Sequence, residues 1–425
     1  MKRTLEHTWS VDGNWTLADQ ATRSGVPGIL EYDPEKGLLL KLHGLLDEQK
    51  LGPVRLQAHA RILGKIQGEG VGVCTLLDTQ TRGVSLGATR RMSVIATLAL
   101  LGAELPKARD LRFSLSSVSL GNLEEWLGWR PIKHEYSPLT LRYEKPSSLH
   151  AKLPSIKARL EIKSTIENEP ESWQRDSLIH SARMTITIER GMQRRLEWHL
   201  DTLAALRDLV TLFSGSPSWF RVIEVTKAKG DDAALVAGVS TTKPRNRVLV
   251  QRMFLPLSKV TTPFESLIER WFAHRVEHEA AHHLLFSAFY ERMAYGEFAF
   301  LAAMQALETY GRKRLAPKCS PKKRIGLADC ITEVLDVFES RTQRRLFKAS
   351  TGFKDRIRHT RNYFTHYSKD KAAKAYRGNE LRRATARVRL LLTLAFMKDL
   401  GVDEKVLREY CLKTWYVAFE LKWRG

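Results

Sequence analysis

Residues 263–271 read Pro263-Phe264-Glu265-Ser266-Leu267-Ile268-Glu269-Arg270-Trp271, and here the patterning of the chain changes. Phe264, Leu267, Ile268 and Trp271, continued by Leu285 and Phe289, fall on one face at a 3.6-residue period, as in an amphipathic helix. Downstream, Phe298 to Tyr310 repeats the pattern and stops at Gly311. Ser320-Pro321 reads as an N-cap and N1 pair for a helix carrying Ile331, Val334, Leu335 and Phe338, since Ser caps and Pro opens helices. Leu381 to Leu400 is amphipathic up to Gly401, and Asp403 to Glu420 makes a last helix. Residues 259–425 are expected to form an all-α bundle of about five or six helices.

Upstream of that stretch the period is two. Ile156, Ala158, Leu160 and Ile162 alternate with charged neighbours. So do Met184, Ile186 and Ile188, and Leu139, Leu141 and Tyr143. Such alternation marks strands with one buried face. Glycines at 37, 44, 64, 68, 70 and 72 suit turns and bulges of an antiparallel sheet. Gly68-Glu69-Gly70-Val71-Gly72 lacks both G-x-G-x-x-G and a following Lys-Ser/Thr, so it is no phosphate loop. Leu203 to Phe213 reads as a helix ended by Ser214-Gly215-Ser216-Pro217. Strands are expected again at Arg221–Val225 and Val248–Phe254, with an exposed polar loop over Lys227–Arg247 between them. Trp9, Trp15, Trp126 and Trp129 are expected in the core. The fold class is α+β multidomain: a β-rich antiparallel domain over 1–258, then the helical bundle over 259–425.

The chain has 425 residues, of which 43% are hydrophobic. That is material for two or three cores and too much for intrinsic disorder. No run approaches the ~18 apolar residues of a membrane span. Met1-Lys2-Arg3-Thr4-Leu5-Glu6-His7 opens without an apolar signal segment. Cys74, Cys319, Cys330 and Cys411 form no C-x-x-C pair, so reduced thiols and a cytoplasmic location are expected.

Lys and Arg number 69 against 47 Asp and Glu, a formal charge of +22. A polyanion, RNA or DNA before a membrane surface, is the natural partner of that field. Residues 261–425 hold 32 basic and 19 acidic side chains, net +13, so the helical part is the more basic for its length. Basic density peaks over 312–358, with 14 basic and 5 acidic residues.

Just beyond that peak stands Arg361-Asn362-Tyr363-Phe364-Thr365-His366, an R-N-x-x-x-H sequence. Bare R-x4-H spacing carries little, because it recurs at Arg175–His180 and Arg194–His199 in the β-rich part. The Asn after the Arg, the helical context and the approach through Arg356 and Arg358 set this copy apart.

With this motif in a short helical bundle, the C-terminal part resembles a HEPN domain. The resemblance extends to the ApeA-type anti-phage HEPN proteins. It rests on Gly28-Ile29-Leu30-Glu31-Tyr32 to Gly37-Leu38-Leu39-Leu40, Ile66 to Thr75-Leu76, Asn122-Leu123-Glu124-Glu125-Trp126 and Gln305-Ala306-Leu307-Glu308. It implies a metal-independent endoribonuclease without a cofactor, homodimeric, with two copies of the motif meeting at the dimer interface. It also implies abortive infection as the biological role, with a host RNA such as tRNA as target and a phage-derived trigger. The N-terminal part is expected to sense or regulate.

The residue chemistry agrees. RNA is cut without metal when its 2′-OH attacks the adjacent phosphate, leaving a 2′,3′-cyclic phosphate and a 5′-OH. Histidine can move the protons, worth ~10²–10⁴-fold. Arginine's fixed charge and planar donor fork suit the phosphorane better than lysine. The expected catalytic residues are therefore Arg361, His366 and Asn362, with Arg358 and Arg356 as RNA contacts. Five residues on a straight helix turn ~500°, placing Arg361 and His366 ~140° apart. Either the helix bends or ends at the motif, or two protomers complete one site.

Two alternatives stand beside this reading. One is a non-catalytic HEPN scaffold that binds RNA or protein by charge alone. The other is a zinc hydrolase using His278-Glu279-Ala280-Ala281-His282, a literal H-E-x-x-H in which Glu279 would be the base. His274 extends that row on the apolar face, but neither Glu291 nor Glu297 offers a convincing third ligand, and no β-edge accompanies the helix. A buried histidine row is the expectation there.

Overall fold

A computed structural model describes residues 3–20, 25–47, 58–67, 72–87, 90–136, 139–172, 175–228, 230–238, 247–249, 252–290, 296–320, 324–347, 352–367 and 372–414. The chain forms two compact units that interleave along the sequence. The first comprises Met1–Gly121, Pro131–Arg207 and Trp219–Asn246; the second comprises Asn122–Arg130, Asp208–Ser218 and Arg247–Gly425.

In the first unit, β1 (Trp9–Leu17), β2 (Val26–Asp33), β3 (Gly37–Leu42), β4 (Ala58–Ile66), β5 (Val73–Leu86) and β6 (Arg90–Leu101) pair in the ring order β6-β3-β2-β1-β4-β5. The pairing of β5 with β6 closes that ring into an antiparallel barrel. The alternation in sequence is the alternation in burial: Val11, Trp15 and Leu17, Leu30 and Tyr32, and Leu38, Leu40 and Leu42 all point inward. Gly64 is required where it stands, because a Cβ there would come within 2.4 Å of the Trp15 ring.

β6 is long enough to serve two partners on its second edge. Met92–Ala96 pair with β3, and Ala99–Leu101 pair with β12 (Ala234–Ala237). From β12 the sheet continues outward through β11 (Phe220–Thr226), β7 (Leu115–Leu120), β10 (Arg175–Ile188), β9 (Ala158–Ser172) and β8 (Leu149–Leu153). Every pairing in this extension is antiparallel. Leu160, Ile162, Met184, Ile186 and Ile188 are buried as their period predicts. Ile156 instead sits in a single 3-10 turn opened by Pro154, whose missing N–H cannot serve a ladder. The expected loop over 227–247 contains β12, whose Ala-Leu-Val-Ala run is too short to show a period. Within the Gly68–Gly72 run, residues 68–71 lie outside those described.

Two helices precede the bundle, α1 (Leu123–Leu127) and α2 (Leu196–Ser214). α2 begins a full two turns before the expected start at Leu203 and ends, as expected, at Gly215 with φ +70°. Its His199 is the histidine of the second R-x4-H spacing. It is buried, with Nδ1 at 2.9 Å from Ser116 Oγ and Nε2 at 2.9 Å from Phe113 O, a satisfied core residue. The expected strand at 248–254 is absent among the described residues. There Leu255 N donates to Phe213 O at 2.9 Å, and Phe254 and Leu255 are buried. The apolar run covers the end of a helix instead of joining a sheet.

The second unit is carried by α3 (Phe264–Glu277), α4 (Glu279–Tyr290), α5 (Gly296–Leu315), α6 (Leu327–Asp336), α7 (Ser340–Phe347), α8 (Phe353–His366), α9 (Gly378–Asp399) and α10 (Glu404–Glu409). This is more helices than the five or six expected, because the first amphipathic run breaks at His278 and short helices fill the connections. α5 runs through Gly311, which serves packing: a Cβ there would meet Cys330 O of α6 at 2.6 Å. α6 starts from Gly326, whose N–H donates to the Asp329 carboxylate at 2.9 Å, and Pro321 lies outside the described residues. Asp403 caps α10 through its carboxylate, which accepts from Lys405 N at 2.7 Å. That helix ends at Glu409 and a 3-10 turn follows, while residues from 415 on lie outside those described. Cys74, Cys319, Cys330 and Cys411 are free thiols. No helix of the described residues is long and apolar enough to cross a membrane.

Candidate functional site

The R-N-x-x-x-H motif occupies the last two turns of α8. Phe353, Ile357, Thr360 and Phe364 are the buried residues of this helix, and their i, i+4, i+7, i+11 spacing fixes which way it faces. Thr360 tightens the arrangement: its hydroxyl donates to Arg356 O at 2.7 Å and accepts from Tyr376 N at 2.9 Å. At ~100° per residue, Arg361 lies beside the buried stripe, whereas Asn362 and His366 share the opposite face one turn apart.

The contacts follow that wheel. Arg361 is 30% exposed and reaches α5, where Nη2 donates to Glu308 Oε2 at 3.2 Å. Its Nη1 lies 3.5 Å from Asn362 Oδ1. The other Glu308 oxygen accepts from Arg312 Nη2 at 2.8 Å, so one carboxylate stands between two guanidinium groups. His366 is exposed and is the last residue of the helix. Tyr367 follows at φ +50° as the C-cap, 67% exposed, and the chain leaves the helix there. The structure thus brings Arg361 and Asn362 together and holds His366 on the Asn362 face, away from Arg361. Of the two ways to join Arg361 and His366, a helix that ends at the motif is present, and the two side chains still diverge.

The two arginines upstream are engaged within the chain. Arg356 pairs with Glu380 at 2.7 Å and lies 4.1 Å from the centre of the Tyr376 ring. Arg358 pairs with Asp355 at 3.2 Å and remains more than a third exposed. On the next face Arg377 Nη2 donates to Tyr363 Oη at 3.2 Å and lies over its ring. Glu308 is the member that residue spacing could not supply: it precedes Arg361 by 53 residues. Its sequence signal was its place in Gln305-Ala306-Leu307-Glu308, which carries the family resemblance but does not connect it to Arg361.

The H-E-x-x-H row is buried, as expected, but it is not one helix. α3 ends at Glu277, with His278 as its C-cap at φ −114° and ψ +34°, and α4 begins at Glu279. The i→i+4 bonds nevertheless continue, His278 N to His274 O at 2.9 Å and His282 N to His278 O at 3.0 Å. His274, His278 and His282 therefore stay stacked on the inner face, all under 10% exposed. Glu279 is 76% exposed, with His283 at 3.9 Å. The general base of a zinc hydrolase has to face the metal, so the structure removes the hydrolytic reading of this motif. His274 Nδ1 lies 2.7 Å from His282 Nε2, and His274 Nε2 lies 3.2 Å from Asp399 Oδ2. Tyr310 donates to the same Asp399 oxygen at 2.5 Å, and Arg314 Nη1 lies 2.9 Å from Oδ1. Asp399, at the end of α9, had no signal in sequence.

Comparison with known proteins gives no curated protein and no solved structure that matches the chain. Two family models do match: ApeA N-terminal domain 1 over residues 10–271, and the Apea-like HEPN domain over residues 301–406. The second covers α5 to α9 and with them Glu308, Arg361, Asn362 and His366. The β-rich first part, the helical bundle after it and these two matches together make this chain a member of the ApeA-type HEPN proteins.

Proposed function

We propose that the chain is a metal-independent endoribonuclease of anti-phage defence, acting by abortive infection from the cytoplasm. The observation that carries the reading is the placement of Arg361, Asn362 and His366 at the end of one helix inside the HEPN match, with His366 open to solvent and Arg361 held in reserve by Glu308. His366 takes the 2′-OH proton while the 2′-oxygen attacks phosphorus, and the protonated imidazole then gives that proton to the departing 5′-oxygen. The products are a 2′,3′-cyclic phosphate and a 5′-OH. Arg361 stabilises the phosphorane charge once it is released from Glu308, and Asn362, one turn before His366, donates to a phosphate oxygen. Arg358 and Arg356 follow the RNA backbone.

Because Arg361 and His366 diverge on one helix, the reading needs a homodimer in which one copy supplies each half of a site. The helical part from residue 259 is the nuclease. The β-rich part receives a phage-derived trigger, and host RNA, tRNA among others, is the substrate. The Arg361–Glu308 pair also suits the second reading, a scaffold that binds RNA by charge and never cuts it.

One experiment separates the two. Wild type and His366→Ala are incubated with total RNA in EDTA, and fragment ends are analysed. Cleavage by wild type alone, leaving 2′,3′-cyclic phosphate ends, supports the nuclease. Equal RNA binding without cleavage by either protein, including in lysates of phage-infected cells, supports the scaffold.

A further inference from the structure

We propose that His274, His278 and Asp399 form a binding site for a divalent transition-metal ion, of the zinc class, inside the helical bundle. One ligand atom from each of the three lies within 4.8 Å of the others. His274 Nε2 and Asp399 Oδ2 are 3.2 Å apart, close to the ~3.4 Å between two ligands on one tetrahedral ion. The site is independent of the ribonuclease reading and of the Glu279 base.

A buried histidine elsewhere in the protein gives the comparison for His278, whose Nδ1, like that of His282 in the same row, has no partner among the described residues. Buried His199 has both ring nitrogens bonded, to Ser116 and Phe113. His278 is 6% exposed, yet its Nδ1 has no hydrogen-bond partner among the described residues. The nearest acid to its other nitrogen, exposed Glu277, stays 4.0 Å away. A buried polar atom without a partner is rare in native cores, and this one belongs to a ring that has a nitrogen within 4.8 Å of ligand atoms of both His274 and Asp399.

The surroundings hold the ligands in ligating form. His274 can carry its proton on Nδ1, 2.7 Å from His282 Nε2, which frees Nε2 for the metal. Metal-bound histidines are usually fixed in this way through their second nitrogen. Two imidazoles and one carboxylate select zinc-like ions over magnesium or calcium, which prefer oxygen throughout. The ion joins the end of α3 to the end of α9.

The test is a cobalt(II) titration of the full chain followed by visible absorbance, with zinc competing. The expected result is uptake of a single ion with visible absorption bands, displaced by zinc. His278→Ala should weaken uptake at least about tenfold, while His283→Ala, at an exposed histidine outside the cluster, leaves it unchanged. A wild type that takes up no cobalt, or takes it up no more tightly than His278→Ala, overturns the site. Wild-type uptake is decisive even if the variant folds poorly, and the readout does not depend on RNA cleavage.

Discussion

Arg361 of α8 and Glu308 of α5 form an ion pair at 3.2 Å that is only partly open to solvent, and the same carboxylate also holds Arg312. The arginine of the motif is therefore not free to meet a phosphate in this state. With Arg361 30% and Glu308 19% exposed, solvent still reaches the pair, so a polyanion can compete with the carboxylate for the guanidinium.

Glu308→Gln should release Arg361 without unfolding the bundle. The expected outcome is tighter RNA binding and a several-fold rise in untriggered cleavage, with a stability change of no more than about 1 kcal/mol. Fluorescence anisotropy with a short RNA, beside a cleavage time course, measures both. Unchanged binding and unchanged basal cleavage would show that the pair restrains nothing.

His366→Ala and Arg361→Ala address the chemistry. His366 is exposed at a helix end, so its removal should cost no more than about 0.5 kcal/mol of stability. Cleavage should fall by about 10²–10⁴-fold if the histidine moves the proton. Arg361→Ala should also abolish cleavage, while mixing it with His366→Ala restores part of the activity if each site draws on two chains. A mixture as dead as either variant rejects the shared site.

The division into a β-rich part and a helical part was readable because period two and period 3.6 are local, and the strands and helices that show them cleanly stand where the periods place them. The motif was readable for the same reason, since six consecutive residues carry it. What escaped depends on partners distant in sequence. Glu308 and Asp399 look like ordinary acids until the fold sets them beside Arg361 and His274. Asn122 could not be read as belonging with the helical unit, yet its amide donates to Pro217 O at 3.3 Å and its carbonyl accepts from Val248 N at 3.0 Å. The 248–254 run has strand-like composition, but composition records burial without saying whether a ladder or a helix end receives it.

Gly311→Ala tests the packing of α5 on α6. The added Cβ would lie 2.6 Å from Cys330 O, a backbone atom, so the helices must separate. A loss of about 1–3 kcal/mol is expected, read as a lower midpoint in urea. A neutral or stabilised variant would mean that the two helices are not held at this distance.

Glu404 gives the bundle an acid limit. Burial alone would raise its carboxyl pKa, but Lys398, the Thr342 hydroxyl and the Glu339 N–H hold it below the ordinary value. A carboxyl depressed in the folded state binds a proton less readily there than in the unfolded chain, so its contribution is complete above the ordinary glutamate range. That contribution is lost as pH falls from about 4.5 toward the lowered folded value. Thermal midpoints of wild type should therefore drop across that window more steeply than those of Glu404→Gln. At pH 7 the variant should already be less stable by about 1–3 kcal/mol, because Lys398 and the Glu339 N–H lose a charged acceptor. Parallel pH profiles for the two proteins would mean that the Glu404 charge does not stabilise the fold.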